Sequence, residues 1–121
     1  TFKESTVEGK IIVNDTVTDL IWTKETVSGK TWKDALSYCE NLSYAGYTDW
    51  RLPNINELKT ILNHNIKYKP YSSFPGIPEG RIWSSSAFKD LSATTAWAVG
   101  TNSGEVWMYT KTNLNIALCV R

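Results

Sequence analysis

Helical spacing is confined to two stretches of the chain, and short β-rich runs fill most of the remainder. Trp32, Ala35, Leu36, Cys39 and Leu42 fall at i, i+3, i+4, i+7 and i+10, one apolar stripe of a helix. Thr31 opens that helix as N-cap, with Asp34 at the reciprocal capping position. Ile55, Leu58, Ile61 and Leu62 mark a second helix from Ile55 to about Leu62. Asn54 precedes it as N-cap, and Glu57 completes a capping box. Between the helices lies Gly46-Tyr47-Thr48-Asp49-Trp50-Arg51-Leu52-Pro53-Asn54, around which the chain is organised. Gly46 permits a sharp turn, and Pro53 keeps Leu52 extended. Trp50 and Leu52 alternate with Asp49 and Arg51, so Trp50 is the expected centre of the core.

Strands are expected at Lys10–Val13 and Asp19–Thr23, joined as a hairpin across Asn14-Asp15-Thr16, with Val27-Ser28-Gly29-Lys30 as a loop. Further strands are expected at Arg81–Ser84, Thr95–Val99, Glu105–Tyr109 and Asn115–Val120, the middle two forming a hairpin across Asn102-Ser103-Gly104. Asn63 to Gly80 shows no periodicity and holds Pro70, Pro75 and Pro78. Irregular segments of that length in a small domain tend to be functional. Two helices, a small mainly antiparallel sheet and a long irregular loop make an α+β fold. At 121 residues, with six Trp, six Tyr and three Phe, the chain is expected to form one domain over residues 1–121 with its own core.

The net charge of +1 is unevenly spread. Residues 1–58 carry six Lys/Arg against nine Asp/Glu, whereas 59–121 carry seven against three. Within 59–89, Lys59, Lys67, Lys69, Arg81 and Lys89 are opposed only by Glu79, an excess that favours an anionic partner. In the long loop, Tyr68, Tyr71 and Phe74 interleave with Lys67 and Lys69. Exposed aromatic faces stack on sugar rings, and ammonium groups pair with sulfate, carboxylate or phosphate; alternatively these aromatics seal the loop onto the domain. Lys67, Tyr68, Lys69, Tyr71, Arg81, Lys89 and Lys111 are the candidate ligand-binding residues.

Other constellations read as structural. Trp22, Trp50, Trp83, Trp97 and Trp107 sit in apolar contexts and are expected in the core. Ser84-Ser85-Ser86 are expected to satisfy loop backbone groups, and Arg51 to pair with a carboxylate or with loop carbonyls. His64 is the single histidine, and no Ser/His/Asp order, Gly-rich phosphate loop or HExxH pattern accompanies it, so no enzyme is expected. Cys39 and Cys119 are compatible with two buried thiols or with one bridge, and the inward position of Cys39 suits both. No apolar run approaches membrane-spanning length, and the first residues lack a signal-peptide pattern, as in an excised domain of a secreted chain or in a cytosolic protein.

Tyr47-Thr48-Asp49-Trp50-Arg51-Leu52-Pro53 followed by Glu57-Leu58 resembles the signature of a bacterial extracellular family, the C-terminal domain of the Legionella collagen-like adhesin. Trp83-Ser84-Ser85-Ser86, Ala96-Trp97-Ala98-Val99 and the ending Cys119-Val120-Arg121 agree with it, and the match runs from about Val17 to Arg121. The resemblance implies a C-type-lectin-like fold in which the chain ends lie together, with Ile11–Val13 beside Ile116–Val120. It implies a Cys39–Cys119 disulfide, worth roughly 4 kcal/mol, and hence an oxidising compartment. It further implies a non-catalytic adhesion module, secreted or on the bacterial cell surface, that binds anionic (sulfated) glycans as a homo-oligomer, possibly a trimer. The partner expected on this basis is an anionic polysaccharide or a host surface protein, without nucleic acid, membrane insertion, metal or cofactor. The alternative is a structural or protein-interaction domain, an oligomerising cap with no glycan ligand.

The Glu-Pro-Asn, Gln-Pro-Asp and Trp-Asn-Asp motifs of calcium-dependent lectins are absent, and Pro78-Glu79-Gly80 is the nearest approach. One carboxylate does not make a site that takes six to eight oxygens. Formylglycine-generating enzymes share a related fold and a similar Arg-Leu-Pro, but they need reactive cysteines and a much longer chain.

Overall fold

The computed structural model describes residues 1–87 and 94–121. Among the described residues, eight strands and two helices follow in the order β1 (Phe2–Val7), β2 (Lys10–Asp15), β3 (Ile21–Thr23), β4 (Val27–Lys30), α1 (Trp32–Glu40), α2 (Ile55–Lys59), β5 (Arg81–Ala87), β6 (Thr95–Gly100), β7 (Val106–Thr110) and β8 (Asn115–Ala117). The architecture is α+β, with two sheets where the sequence led us to expect one. One has the order β1-β2-β3 and the other β4-β8-β5-β6-β7. All pairings are antiparallel except β5 with β8.

Side-chain alternation divides the interior into two cores on opposite faces of the larger sheet. Ile82, Val99, Ile116, Leu118 and Val120 join one cluster, while Trp83, Ala98, Ala117 and Cys119 join the other. A period of two with both faces apolar is the signature of a strand buried on both sides. Helix α1 covers the Trp83 face with Ala35 and Cys39. Helix α2 covers the Ile82 face with Leu58, joined there by Ile61, Phe74 and Ile77 from the connection that follows. Trp50 is buried in the α1-side core, and its indole N–H donates to the Tyr44 carbonyl at 3.0 Å.

Several boundaries differ from the sequence reading, each for a physical reason. The strand β1 was not expected; the two-residue turn Glu8-Gly9, with positive φ at both positions, pairs it with β2. The first expected hairpin forms with its turn displaced beyond Asn14. Strand β2 runs on to Asp15, whose carboxylate accepts the Val17 amide and the Thr18 hydroxyl at 3.0 and 2.9 Å. Val27–Lys30, read as a loop, is a strand because it pairs with β8, with a register break that accommodates Gly29 at φ 69°. Helix α2 stops at Lys59, where the backbone tightens into i to i+3 bonds at Ile61 and Leu62.

The expected pairing of Ile11–Val13 with Ile116–Val120 does not occur. Strand β3 lies between them, with Trp22 bridging Val120, and β8 pairs instead with β4 and β5.

Candidate functional site

The central stretch is a clamp for the end of the chain. Gly46, at φ 78°, turns the backbone so that Tyr44 and Tyr47 exchange amide bonds of 3.0 Å. Beyond the turn, Arg51 and Val120 exchange backbone bonds of 2.9 Å, while Ile21 and Arg121 do the same from the other side. Arg121 donates to both carboxylate oxygens of Asp49, at 2.6 and 2.9 Å, and its guanidinium stacks 3.7 Å above the Tyr47 ring. That fork holds the Asp49 carboxyl below its ordinary range. Arg51 makes a second fork with Glu57 at 2.6 and 2.7 Å. Glu57 also accepts the Asn54 amide, and Asn54 caps the Glu57 amide at 2.8 Å. The Arg51 fork lowers the Glu57 carboxyl, outweighing its partial burial. Arg51 is therefore structural, as its sequence context indicated.

Cys39 and Cys119 form a disulfide with Cα atoms 5.5 Å apart, fastening α1 to the segment after β8. The Ser84 hydroxyl donates to the Trp97 carbonyl at 2.6 Å, and Ser86 accepts the Ile55 amide at 3.0 Å, so these serines satisfy backbone. His64, just past α2, lies 2.9 Å from the Gly104 carbonyl through Nε2. Among the described residues, no three His, Cys, Asp or Glu side chains cluster to hold a metal ion, and no helix is long and apolar enough to cross a membrane.

The loop aromatics take separate roles. Phe74 is buried, packed at 5.4 Å from Phe2 and edge-on to Trp22 at 6.1 Å, and so seals the loop onto the domain. Tyr71 is half-buried and tied at both backbone groups, accepting from Asn63 at 2.9 Å and donating to Thr101 at 2.8 Å. Tyr68 is 81% exposed, between exposed Lys67 and Lys69. The tip of the loop is thus a cation–aromatic–cation run on a firmly anchored base.

Arg81 shares one end of the larger sheet with that base. Tyr71 bonds to Thr101, Thr101 bonds to Gly80 at 2.8 Å, and Arg81 pairs with Gly100. A Cβ at Gly100 would fall 2.7 Å from the Ser103 hydroxyl, so a larger residue there would turn that side chain aside. Glu105, whose carbonyl accepts the Gly100 amide, is an acidic residue on the same rim. Arg81 stacks 4.2 Å above the Tyr109 ring. Lys111 stands at the far end of β7, its ammonium 4.3 Å above the Trp32 ring, and does not join this group. Lys89 lies outside the described residues.

Lys10, Lys24 and Arg51 of the acidic half are paired with Glu25, Glu4 and Glu57, and Arg121 with Asp49, whereas Lys3, Lys30 and Lys33 have no ion pair among the described residues. Lys59, Lys67, Lys69 and Arg81 have no ion pair among the described residues.

One aromatic contradicts the sequence reading. Trp107, expected in the core, is 59% exposed. Its strand is the sheet edge, and its cross-strand neighbour Ala98 is already buried by α1-side residues, so no described residue closes over the indole. The alternation of Glu105–Tyr109 marks a strand but not its place in the sheet order, which is why the sequence left Trp107 among the core residues. Trp97 is half-buried, whereas Trp22, Trp50 and Trp83 are interior.

No curated protein matches the chain. Residues 11–121 match the model of the Lcl C-terminal domain, which takes in the central clamp, both cysteines and the loop. The chain belongs to the Lcl C-terminal domain family, an adhesin-associated extracellular family.

Proposed function

We propose that the chain is a non-catalytic binding module with a C-type-lectin-like scaffold that holds anionic, sulfated glycans without calcium. The observation that carries this reading is the loop tip, where Lys67 and Lys69 flank exposed Tyr68 and neither lysine has an ion-pair partner among the described residues. Tyr68 offers a face for a sugar ring, and the two ammonium groups offer charge for its sulfate or carboxylate substituents. Because Tyr71 and Phe74 anchor the base, ordering the tip costs less on binding than ordering a free loop. Arg81 extends the positive surface, tempered by Glu105.

Family membership supports an adhesive role outside the cell, and the disulfide fits an oxidising compartment. An oligomer would multiply weak single-site binding through avidity. Substituting Lys67 and Lys69 together by Glu tests the site. Polyanion binding is expected to be lost with the unfolding midpoint unchanged, since both side chains are exposed. Undiminished binding would remove the loop tip from the site.

A further inference from the structure

The residues that match the family begin at 11, so β1 and the Glu8-Gly9 turn precede them, and family membership gives that strand no role. Strand β1 pairs with β2 along its whole length, from Phe2 opposite Asp15 to Val7 opposite Lys10. Lys3, Glu4, Ser5 and Thr6 are exposed, so the strand adds little to the core. What it does cover is the base of the long loop.

Phe2 and Glu4, two positions apart, share one face of β1. Phe2 is half-buried, and its ring packs 5.4 Å from Phe74, which seals the loop onto the domain. Glu4 pairs with Lys24, whose side chain lies against the loop at Gly76, where a Cβ would stand 3.0 Å from the Lys24 Cε. The Thr1 carbonyl accepts the Thr16 amide at 2.9 Å and the Thr16 hydroxyl at 3.2 Å, fixing the end of the strand beside Phe2. Thr1 and Phe2 share a cleft with Leu62, Asn63 and Ser73.

Short links carry the constraint from Phe74 to the tip. Ser73, next to Phe74, accepts from the Asn63 side-chain amide at 2.7 Å. Asn63 donates its backbone amide to the Tyr71 carbonyl at 2.9 Å, and its side-chain oxygen accepts the Asn65 amide at 3.0 Å. Lys67-Tyr68-Lys69 projects from between Asn65 and Tyr71.

We propose, on the reading that the loop tip is the glycan site, that β1 holds the long loop in its binding conformation and that Phe2 is the positioning residue for Lys67-Tyr68-Lys69. Phe74 keeps Trp22 as a neighbour when Phe2 is truncated, so the domain stays folded while the loop gains other positions. Apparent affinity then falls with the fraction of molecules whose loop is competent to bind.

Amide hydrogen exchange of the full chain and of Phe2→Ala, followed by NMR in water and in low urea, tests this beside calorimetric titration with heparin. Exchange of the Asn63 and Tyr71 amides should quicken about tenfold in the variant and depend little on urea, as in a local opening. Heparin affinity should fall about three- to tenfold, as for a loop that must be ordered on binding. Phe2→Leu, which keeps an apolar side chain against Phe74, should restore most of both. Loop exchange that is unchanged, or that quickens only in step with the β5–β6 ladder and with its urea dependence, overturns the proposal; Phe2 would then stabilise the domain as a whole. Faster local exchange with heparin affinity unchanged overturns the link from strand to site. Should Phe2→Ala fail to fold, Glu4→Lys, which releases Lys24 at an exposed position, decides by the same comparison. A parent chain that does not bind heparin refutes the glycan reading, while exchange still decides whether β1 holds the loop.

Discussion

Replacing both Cys39 and Cys119 by alanine opens the largest covalent loop in the described fold, and its cost can be worked out. The bridge spans 80 residues of sequence, for which the chain-entropy relation gives about 4.5 kcal/mol at room temperature. Both cysteines are buried in the α1-side core, beside Ala35, Trp50 and Trp83, so truncation adds a small packing loss of about 1 kcal/mol. A total of about 5.5 kcal/mol is comparable with the whole stability of many small domains, about 5–15 kcal/mol. With a urea m-value of about 2 kcal/mol/M, the midpoint should fall by about 2 M or more. The m-value should rise slightly, because the unfolded chain, no longer crosslinked, exposes more surface. Urea unfolding followed by tryptophan fluorescence measures both quantities. A loss below about 1 kcal/mol with an unchanged m-value would refute the reasoning. So would two free thiols in the native protein by mass-tagged alkylation.

The clamp yields two further expectations. Gly46→Ala forces a side chain onto φ 78° and sets a Cβ 2.6 Å from the Glu8 carboxylate, so chemical denaturation should show a loss of about 1–2 kcal/mol. Glu57 has a lowered carboxyl pKa in the folded state, held down first by Arg51. Its contribution is therefore present above the unfolded carboxylate range and is lost as pH falls through the folded value. Unfolding midpoints measured from neutral pH into the acid range should show Glu57→Gln less stable than the parent at neutral pH. The difference should shrink toward low pH; a constant difference would mean that the cap alone matters.

Legibility in the sequence followed the range of the interactions involved. The stripe from Trp32 to Leu42, the Asn54 capping box and the Gly46 turn rest on contacts within a few residues, and local spacing records them. Strand β4 and the position of Trp22 between β2 and Val120 depend on partners about 90 residues away, which spacing does not encode. The same limit applied to the candidate site. The sequence marked Lys67, Tyr68 and Lys69 as a cluster because they are adjacent. Arg81 is brought to the base of the loop through the Thr101–Gly80 ladder, and Lys111 is carried to the opposite end of β7. Trp107 is the clearest case, since identical alternation describes a central strand and an edge strand.

On the proposed reading, the exposed lysines of the loop tip bind polyanions electrostatically. Retention on immobilised heparin across a salt gradient tests it most directly. The Debye length shrinks from about 10 Å at 0.1 M to about 3 Å at 1 M, so elution is expected at moderate salt. The Lys67→Glu/Lys69→Glu variant should pass through at low salt. Flow-through of the unmodified protein at low salt, or retention that ignores salt, would rule out electrostatic binding by the loop tip.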